Sequence, residues 1–171
     1  PPRSTLFPYT TLFRSKLSPT EADAFFGRPL GLPKTGVFGL YDLIGIDLMA
    51  DVVKSLVSIL PENDAFHKYS SPIEFMTAMI ANGQTGNKNE KGFYKQAGDK
   101  RQVIDLSNGN YGTHERLKTP LLEEAEKIGI SVILNDKSPY GLYIWEVVSE
   151  TLCYAASLVP EVTEEIGRAH V

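Results

Sequence analysis

Apolar positions recur at helical spacing over most of the chain. Ser18-Pro19-Thr20-Glu21 has the S-x-x-E spacing of a capping box with proline at the first helical position, which predicts a short helix through Phe25-Phe26 that stops near Gly27. Gly27 to Pro33 is a Gly/Pro-rich link in which two prolines forbid regular helix. Helical spacing returns from Val37 with Phe38, Leu40, Tyr41, Leu43 and Ile44. The clearest amphipathic helix is predicted from about Asp47 to Leu60. Ile46, Met49, Val52, Val53, Leu56, Val57 and Leu60 form its apolar face, Asp51, Lys54, Ser55 and Ser58 its polar one, and Pro61 ends it. A second capping box, Ser71-Pro72-Ile73-Glu74, predicts a helix that aligns Ile73, Met76 and Ile80 and stops at Gly83.

The period then changes. Gly92 to Gln96 and Gln102 to Asp105 are short β-type runs joined by a polar turn, which predicts one small hairpin. Leu106 to Lys118 is turn-rich and reads as a connector between modules. Thr119-Pro120 opens a helix to Ile128, with Leu121, Leu122, Ala125 and Ile128 inward and Glu123 placed to pair with Lys127. Ser138-Pro139 opens the last helix, to about Val159. Its polar stripe of Glu146, Ser149, Glu150 and Ser157 is narrow, so the helix requires burial on several sides. No repeat of solenoid period is visible. The pattern as a whole predicts a mainly α fold with one small β-hairpin.

Composition narrows the classes. The chain has 171 residues, 42% hydrophobic and 22% charged, which suits one medium domain or a small domain with part of a second. A formal net charge of −4 means that any polyanion must be met by a local patch. The single cysteine, Cys153, excludes an internal disulfide framework and a cysteine-rich zinc site. No apolar run reaches the roughly 18 residues that suggest a membrane-spanning helix. The two ends read differently from the rest. PPRSTLFPYTTLFRS, residues 1–15, resembles the in-frame translation of a sequencing adapter from Thr5 to Ser15, and IGRAHV, residues 166–171, resembles the opposite adapter. Both are expected to be artefactual, which leaves a genuine stretch of about Lys16 to Glu165, truncated at both ends. With Arg3, Arg14 and Arg168 set aside, 14 basic residues face 21 acidic ones, a net charge of −7.

Several chemistries lack their residues. Neither Gly36 with Gly39 nor Gly83 with Gly86 meets the G-x-G-x-x-G that brings backbone up to a pyrophosphate. No G-x-x-x-x-G-K-[ST] loop occurs, and His114-Glu115 lacks the second histidine of a zincin helix. Cys153 lies in an apolar stretch and reads as a buried, inert thiol. His67 and His114 read as solvent-exposed. Lys88, Lys91, Lys95, Lys100 and Arg101 gather on and before the hairpin, either as a solvated face or as an electropositive edge for a phosphorylated ligand. The acidic balance and the few nearby aromatics, Phe93 and Tyr94, argue against nucleic acid.

One stretch carries a resemblance. Gly27, Pro29, Gly31, Pro33, Phe38, Asp42, Gly45 and Asp47 follow a G-x-P-x-G-x-P-x-x-x-x-F-x-x-x-D-x-x-G-x-D pattern. It is similar to the opening of the C-terminal helical domain of 3-hydroxyacyl-CoA dehydrogenases. Gly86-Asn87-Lys88 followed by Gly92-Phe93-Tyr94 resembles that family's G-x-K-x-x-x-G-F-Y, with Glu90 where the family often has a glycine, so a different turn is expected there. Ser149 to Ala156 resembles the start of a second helical repeat in the long multidomain members, which add an enoyl-CoA hydratase region. The resemblance covers nearly all of Lys16 to Glu165.

The resemblance implies a mainly α domain of the 6-phosphogluconate-dehydrogenase C-terminal-like type over residues 16–105, a linker over 106–118, and a truncated second repeat over 119–165. It implies a parent enzyme of fatty-acid β-oxidation that is NAD-dependent and oxidises (S)-3-hydroxyacyl-CoA. NAD and the catalytic His–Glu pair would belong to an upstream domain, so no catalytic, cofactor-binding or metal-ligating residue is expected in this fragment. The helical domain would close over the acyl-CoA and mediate homo-oligomerisation in the cytoplasm. Pro33, Lys34, Thr35 and Phe38 are expected on the edge facing the substrate cleft. Three other readings stay open: Gly27 to Asp47 as only a rigid turn with a helix cap from Asp42 or Asp47, a stand-alone helical interaction module, and the helical domain of a related hydroxy-acid dehydrogenase.

Overall fold

The computed structural model describes residues 16–159; the two ends assigned to adapter read-through, and the stretch from Pro160 to Glu165, lie outside the described residues. Helix α1, Pro19–Phe25, begins on the predicted capping box. Ser18 Oγ accepts from the Glu21 N–H, and Glu21 accepts from the Ser18 N–H at 2.8 Å. The two prolines of the following link do not prevent a single 3₁₀ turn, Arg28–Leu30, which Gly31 closes at φ +73°. Helices α2, Gly36–Ile44, and α3, Ile46–Ile59, meet at Gly45, whose φ of +113° is open to glycine and strained for any other residue. Helix α4 spans Glu74–Ala81. It starts later than its capping-box spacing suggests: Ile73 is the cap residue and no side chain caps the helix.

The hairpin is larger than predicted. Strands β1, Tyr94–Ala97, and β2, Lys100–Ile104, pair with Tyr94 opposite Val103, and β3, Tyr111–Thr113, continues the antiparallel meander. The segment expected to be only a connector therefore contributes a strand, with Val103 opposite Gly112. Three residues are too few for an alternating pattern to show, so this strand is set by its partner. Helix α5, Pro120–Ile128, is capped by Thr119 as predicted. The short α6, Ser131–Asn135, was not predicted, and α7 spans Pro139–Ser157. The described fold is mainly α, with seven α-helices and one small sheet.

One hydrophobic cluster joins the early helices, the sheet and the late helices: Phe25, Phe38, Ile46, Phe93, Ile104, Ile133, Tyr143, Ile144 and Val147 are all at most 1% exposed. Burial of such side chains stabilises by about 1.5–3 kcal/mol each. Phe38 meets Phe93 edge to face at 4.8 Å. Other apolar positions are left uncovered. On α3 only Ile46 is buried, and Leu48 and Val52 are exposed beside Leu40, Leu43 and Ile44 of α2. Ile128, expected inward, is exposed. On α7 the first half packs inward while Leu142, Trp145 and Leu152 face outward. Cys153 is exposed for the same reason, against the expectation of a buried thiol: among the described residues little covers the second half of this helix. The expected Glu123–Lys127 pair is not among the ion pairs of the described residues, which include Lys54–Asp51, Lys68–Glu150 and Lys88–Asp47.

Two aspartates tie the early helices to each other and to the sheet. Asp42, 3% exposed, accepts the N–H groups of Phe93 and Tyr94, both at 2.7 Å. Asp23 accepts the N–H groups of Phe38 and Gly39 at 2.8 and 3.0 Å, so it caps the first turn of α2, for which Thr35 supplies no side-chain cap. It also accepts the Tyr94 hydroxyl at 2.8 Å. Burial pushes both carboxyls up to about 6, outweighing the hydrogen bonds that favour their charged forms.

The packing around Asp42 leaves no room at Gly92, where an added Cβ would meet the carboxylate. Gly92→Ala should lower stability by several kcal/mol in urea unfolding. Gly98→Ala, in the open β1–β2 turn at φ +60° with nothing nearby, should cost only about 1 kcal/mol. Equal losses would show that Asp42 does not exclude a side chain. Glu90 stands at φ +59°, the left-handed region that costs a non-glycine residue roughly 1–2 kcal/mol, so the turn has the geometry that a glycine favours. Glu90→Gly should raise the urea midpoint by about 1 kcal/mol equivalent. Both aspartates bind a proton more tightly in the folded chain than at their ordinary value of 3.8. The stability gained by protonation is thus complete below about pH 4 and lost as pH rises through 6. The unfolding free energy in urea should fall between pH 4 and pH 6, by on the order of 1 kcal/mol per pH unit for each group, and level off above that. Asp23→Asn should flatten that slope, and a midpoint that rises over the same interval would refute the assignment.

Candidate functional site

A pocket of about 620 Å³ opens where α1, the 27–35 link, β2, the residues after β3 and α5 come together. Thr20, Asp23, Tyr94, Arg101 and His114 form a connected group among its lining residues. Thr20 lies in the first turn of α1, and its Oγ1 is 2.9 Å from His114 Nδ1. Tyr94 begins β1; its hydroxyl donates to Asp23, and the Arg101 guanidinium lies 3.9 Å from the centre of its ring. The His114 ring meets Tyr94 edge-on at 5.4 Å. Burial, followed by the charge of Asp23, holds the Tyr94 phenol well above its ordinary range, so it stays a donor. Burial, with Arg101 nearby, lowers His114, which is therefore a neutral imidazole at pH 7. Arg28, Lys34, Arg116 and Lys118 also line the pocket, together with Glu123 and Glu126 of α5. The lining is cationic and hydrogen-bonding, which suits capture of a charged group more than covalent chemistry.

The residues singled out by the motif pattern divide in two. Gly27, Pro29, Lys34 and Thr35 line the pocket, and Tyr94 joins them. Gly31 ends the 3₁₀ turn and Pro33 is exposed. Phe38 is 1% exposed and belongs to the core with Phe93, so among the described residues it does not form an exposed edge beside Lys34 and Thr35. Asp42, Gly45, Asp47 and Gly92 form the frame. Asp42 caps no helix but holds the N–H groups of Phe93 and Tyr94, and Asp47 accepts Lys88 Nζ at 2.7 Å, which keeps its carboxyl below the usual range.

The cation group expected near the hairpin disperses. Lys88 pairs with Asp47, Lys95 lies 4.4 Å from the centre of the Tyr111 ring, and Arg101 alone of that group reaches the pocket. His67, read as solvent-exposed, is half-buried with Nε2 2.8 Å from the Pro61 carbonyl oxygen, just beyond the end of α3. His114 is half-buried as well. Sequence reasoning missed Thr20, Asp23, Arg116 and Lys118 because their partners lie far along the chain, Thr20 being 94 residues from His114. Gly36 carries a faint signal of the Asp23 seat: at φ +66° it faces that carboxylate, and an added Cβ would strike it.

Among the described residues no strand, glycine turn and helix follow one another in the manner of a dinucleotide-binding fold: β3 leads into α5 through His114 to Thr119, which contains no glycine. Among the described residues no group of His, Cys, Asp and Glu could hold a metal ion. Nor is any described helix long and apolar enough to cross a membrane.

Comparison with known proteins agrees with the early motif. Residues 9–96 match the family model of the 3-hydroxyacyl-CoA dehydrogenase C-terminal domain. That range takes in seven residues of the stretch read as adapter and ends in β1. The chain is 36% identical over 148 residues to a protein of Rickettsia prowazekii (strain Madrid E) named as a fatty acid oxidation complex trifunctional enzyme, covering 84% of this chain and 20% of that protein. It is 37% identical over 155 residues to a protein of the same name in Rickettsia felis (strain ATCC VR-1525 / URRWXCal2), covering 88% and 21%. A protein of Bacillus subtilis (strain 168) named as a 3-hydroxyacyl-CoA dehydrogenase is 29% identical over 151 residues, covering 85% and 19%. The chain spans about a fifth of the length of these relatives. No solved structure matches. With more than half its length inside the family model and both motifs built into one frame, the chain belongs to the family of 3-hydroxyacyl-CoA dehydrogenase C-terminal domains.

Proposed function

We propose that this chain is the helical part of an NAD-dependent (S)-3-hydroxyacyl-CoA dehydrogenase of fatty-acid β-oxidation, acting in the cytoplasm. The parent oxidises a 3-hydroxyacyl-CoA to the 3-oxoacyl-CoA. The observation that carries the reading is the family match over residues 9–96, which contains the frame set by Asp42. On this reading NAD and the groups that move the proton and hydride belong to a part of the parent outside the described residues, in keeping with the family resemblance and with the lack of a strand, glycine turn and helix in succession among the described residues.

What these residues contribute is position and exclusion of water. A cleft that runs redox chemistry on a thioester must be dry and preorganised, and a rigid second domain packed across it supplies both. The uncovered apolar residues of α2 and α3, Leu40, Leu43, Ile44, Leu48 and Val52, support a chain that docks against more protein, including a second subunit. Lys34 and Thr35 lie at the mouth of this contact with acyl-CoA. From Thr119 onward the helices begin a second repeat, with residues 106–118 as the passage between the two.

Placing residues 16–159 in the corresponding segment of the Rickettsia felis relative should preserve NADH production from a 3-hydroxyacyl-CoA, while the 171-residue chain alone should produce none. Loss of activity in a chimera that folds, or NADH production by the chain alone, would overturn the reading.

A further inference from the structure

Two bonds in the chain, Asn82–Gly83 and Asn108–Gly109, join an asparagine to a glycine; every other asparagine precedes a residue with a side chain. Glycine leaves its backbone nitrogen open to the amide carbon of the preceding side chain, the approach through which asparagine decays. The two bonds are closely matched. Both asparagines are exposed, Gly83 and Gly109 stand at φ +67° and +75°, and a Cβ added to either glycine would meet nothing within 4 Å. Each glycine N–H donates to a backbone carbonyl, Gly83 to Ile80 at 2.9 Å and Gly109 to Asp105 at 2.8 Å. The asparagine side chains differ. Asn108 Nδ2 donates to Asp105 Oδ2 and its Oδ1 accepts the Asn110 N–H, both at 2.8 Å. The same turn is closed by the Asp105 N–H, which reaches the Asn110 carbonyl at 2.7 Å. The Asn82 side chain, at the end of α4, makes no hydrogen bond among the described residues.

We propose that Asn82 is a site of spontaneous deamidation, and that the 105–110 turn protects Asn108 from the same reaction. The Gly83 nitrogen gives up its proton to water and bonds to Asn82 Cγ; the Cγ–Nδ2 bond breaks and ammonia leaves with a proton from water. A second water then opens the cyclic imide at either carbonyl, giving aspartate or isoaspartate, and nothing is oxidised or reduced. The Asn82 amide is free to rotate onto that nitrogen, and the N–H it must uncover belongs to the last turn of α4, where helices fray. The Asn108 amide has two partners to leave first. The position of Asn82 gives the reaction a consequence. Just beyond it Gln84 Nε2 donates to the Tyr111 hydroxyl at 3.1 Å, the Thr85 carbonyl accepts the Ile46 N–H at 3.1 Å, and Gly86 passes against Asp42. Isoaspartate adds a backbone atom immediately ahead of these contacts, and either product sets a negative charge at the C-terminal end of α4, where the helix dipole disfavours it. The site does not depend on the dehydrogenase reading.

Peptide mass mapping of the folded chain, held at mildly alkaline pH and sampled over days, tests this directly. Asn82 should convert about tenfold faster than Asn108, because only at Asn108 must side-chain hydrogen bonds break first. In concentrated urea, where neither turn persists, the two rates should converge. Asp105→Ala removes the carboxylate that holds Asn108 and should speed conversion there severalfold while leaving Asn82 unchanged. Asn82→Ser should abolish the faster of the two signals. The converted chain, separated by its added charge, should unfold at lower urea than the fresh chain; equal midpoints overturn the link to the Asp42 frame. Conversion at Asn108 as fast as at Asn82 in the folded chain, or none at Asn82 over a time in which the urea-unfolded chain converts, overturns the site. An Asn108 rate that Asp105→Ala leaves unchanged overturns the protection.

Discussion

A single buried carboxylate holds two distant stretches of sequence together. Asp42, near the end of α2, takes the N–H groups of Phe93 and Tyr94 where the sheet begins. Those N–H groups would otherwise be buried at the start of the sheet without partners, at a cost of about 1–3 kcal/mol each. The carboxylate in turn is expensive to bury, as its raised proton affinity shows. Neither side is favourable alone. The arrangement also dictates its neighbours. Gly86 and Gly92 pass so close to Asp42 that a side chain at either would strike it, and Phe38 and Phe93 close over the contact.

Tyr94 transmits this frame to the pocket. Its backbone is fixed by Asp42, its hydroxyl by Asp23, and its ring meets the Arg101 guanidinium and, edge-on, the His114 ring. Asp23 spans the same distance from the opposite direction by capping α2 while lining the pocket. Tyr94 and Asp23 thus tie one wall of the pocket to the core, while the 27–35 link and residues 114–118 supply much of the rest of its lining.

Local signals were readable in the chain, and long-range ones were not. The Ser18–Glu21 capping box, the Thr119 start and the prolines that open α1, α5 and α7 are chemistry within a few residues, and each stands where its spacing implied. Ser71 failed for a related reason: the spacing was present, but Pro72 and Ile73 are extended or turn-like, and the helix waits until Glu74. β3 and α6 are too short to carry a period. The apolar face of α3 was legible, yet its exposure was not, because amphipathicity states that a face wants cover without stating what provides it. Of the pocket cations, Lys34 and Arg101 were singled out in the sequence, but the meeting of Arg28 with Arg116 was not legible, since it requires α5 to pack onto the 3₁₀ turn.

The outward half of α7 has an optical consequence. Trp145 is the chain's one tryptophan and is 54% exposed, between Leu142 and Leu152 on the same uncovered side. Its indole is therefore half in water, where emission is shifted to the red. Anything that settles over this side would move that emission to the blue without a label, and events confined to the Asp42 frame would leave it unmoved. The chain thus carries its own reporter of whether its late helices stand alone or in company.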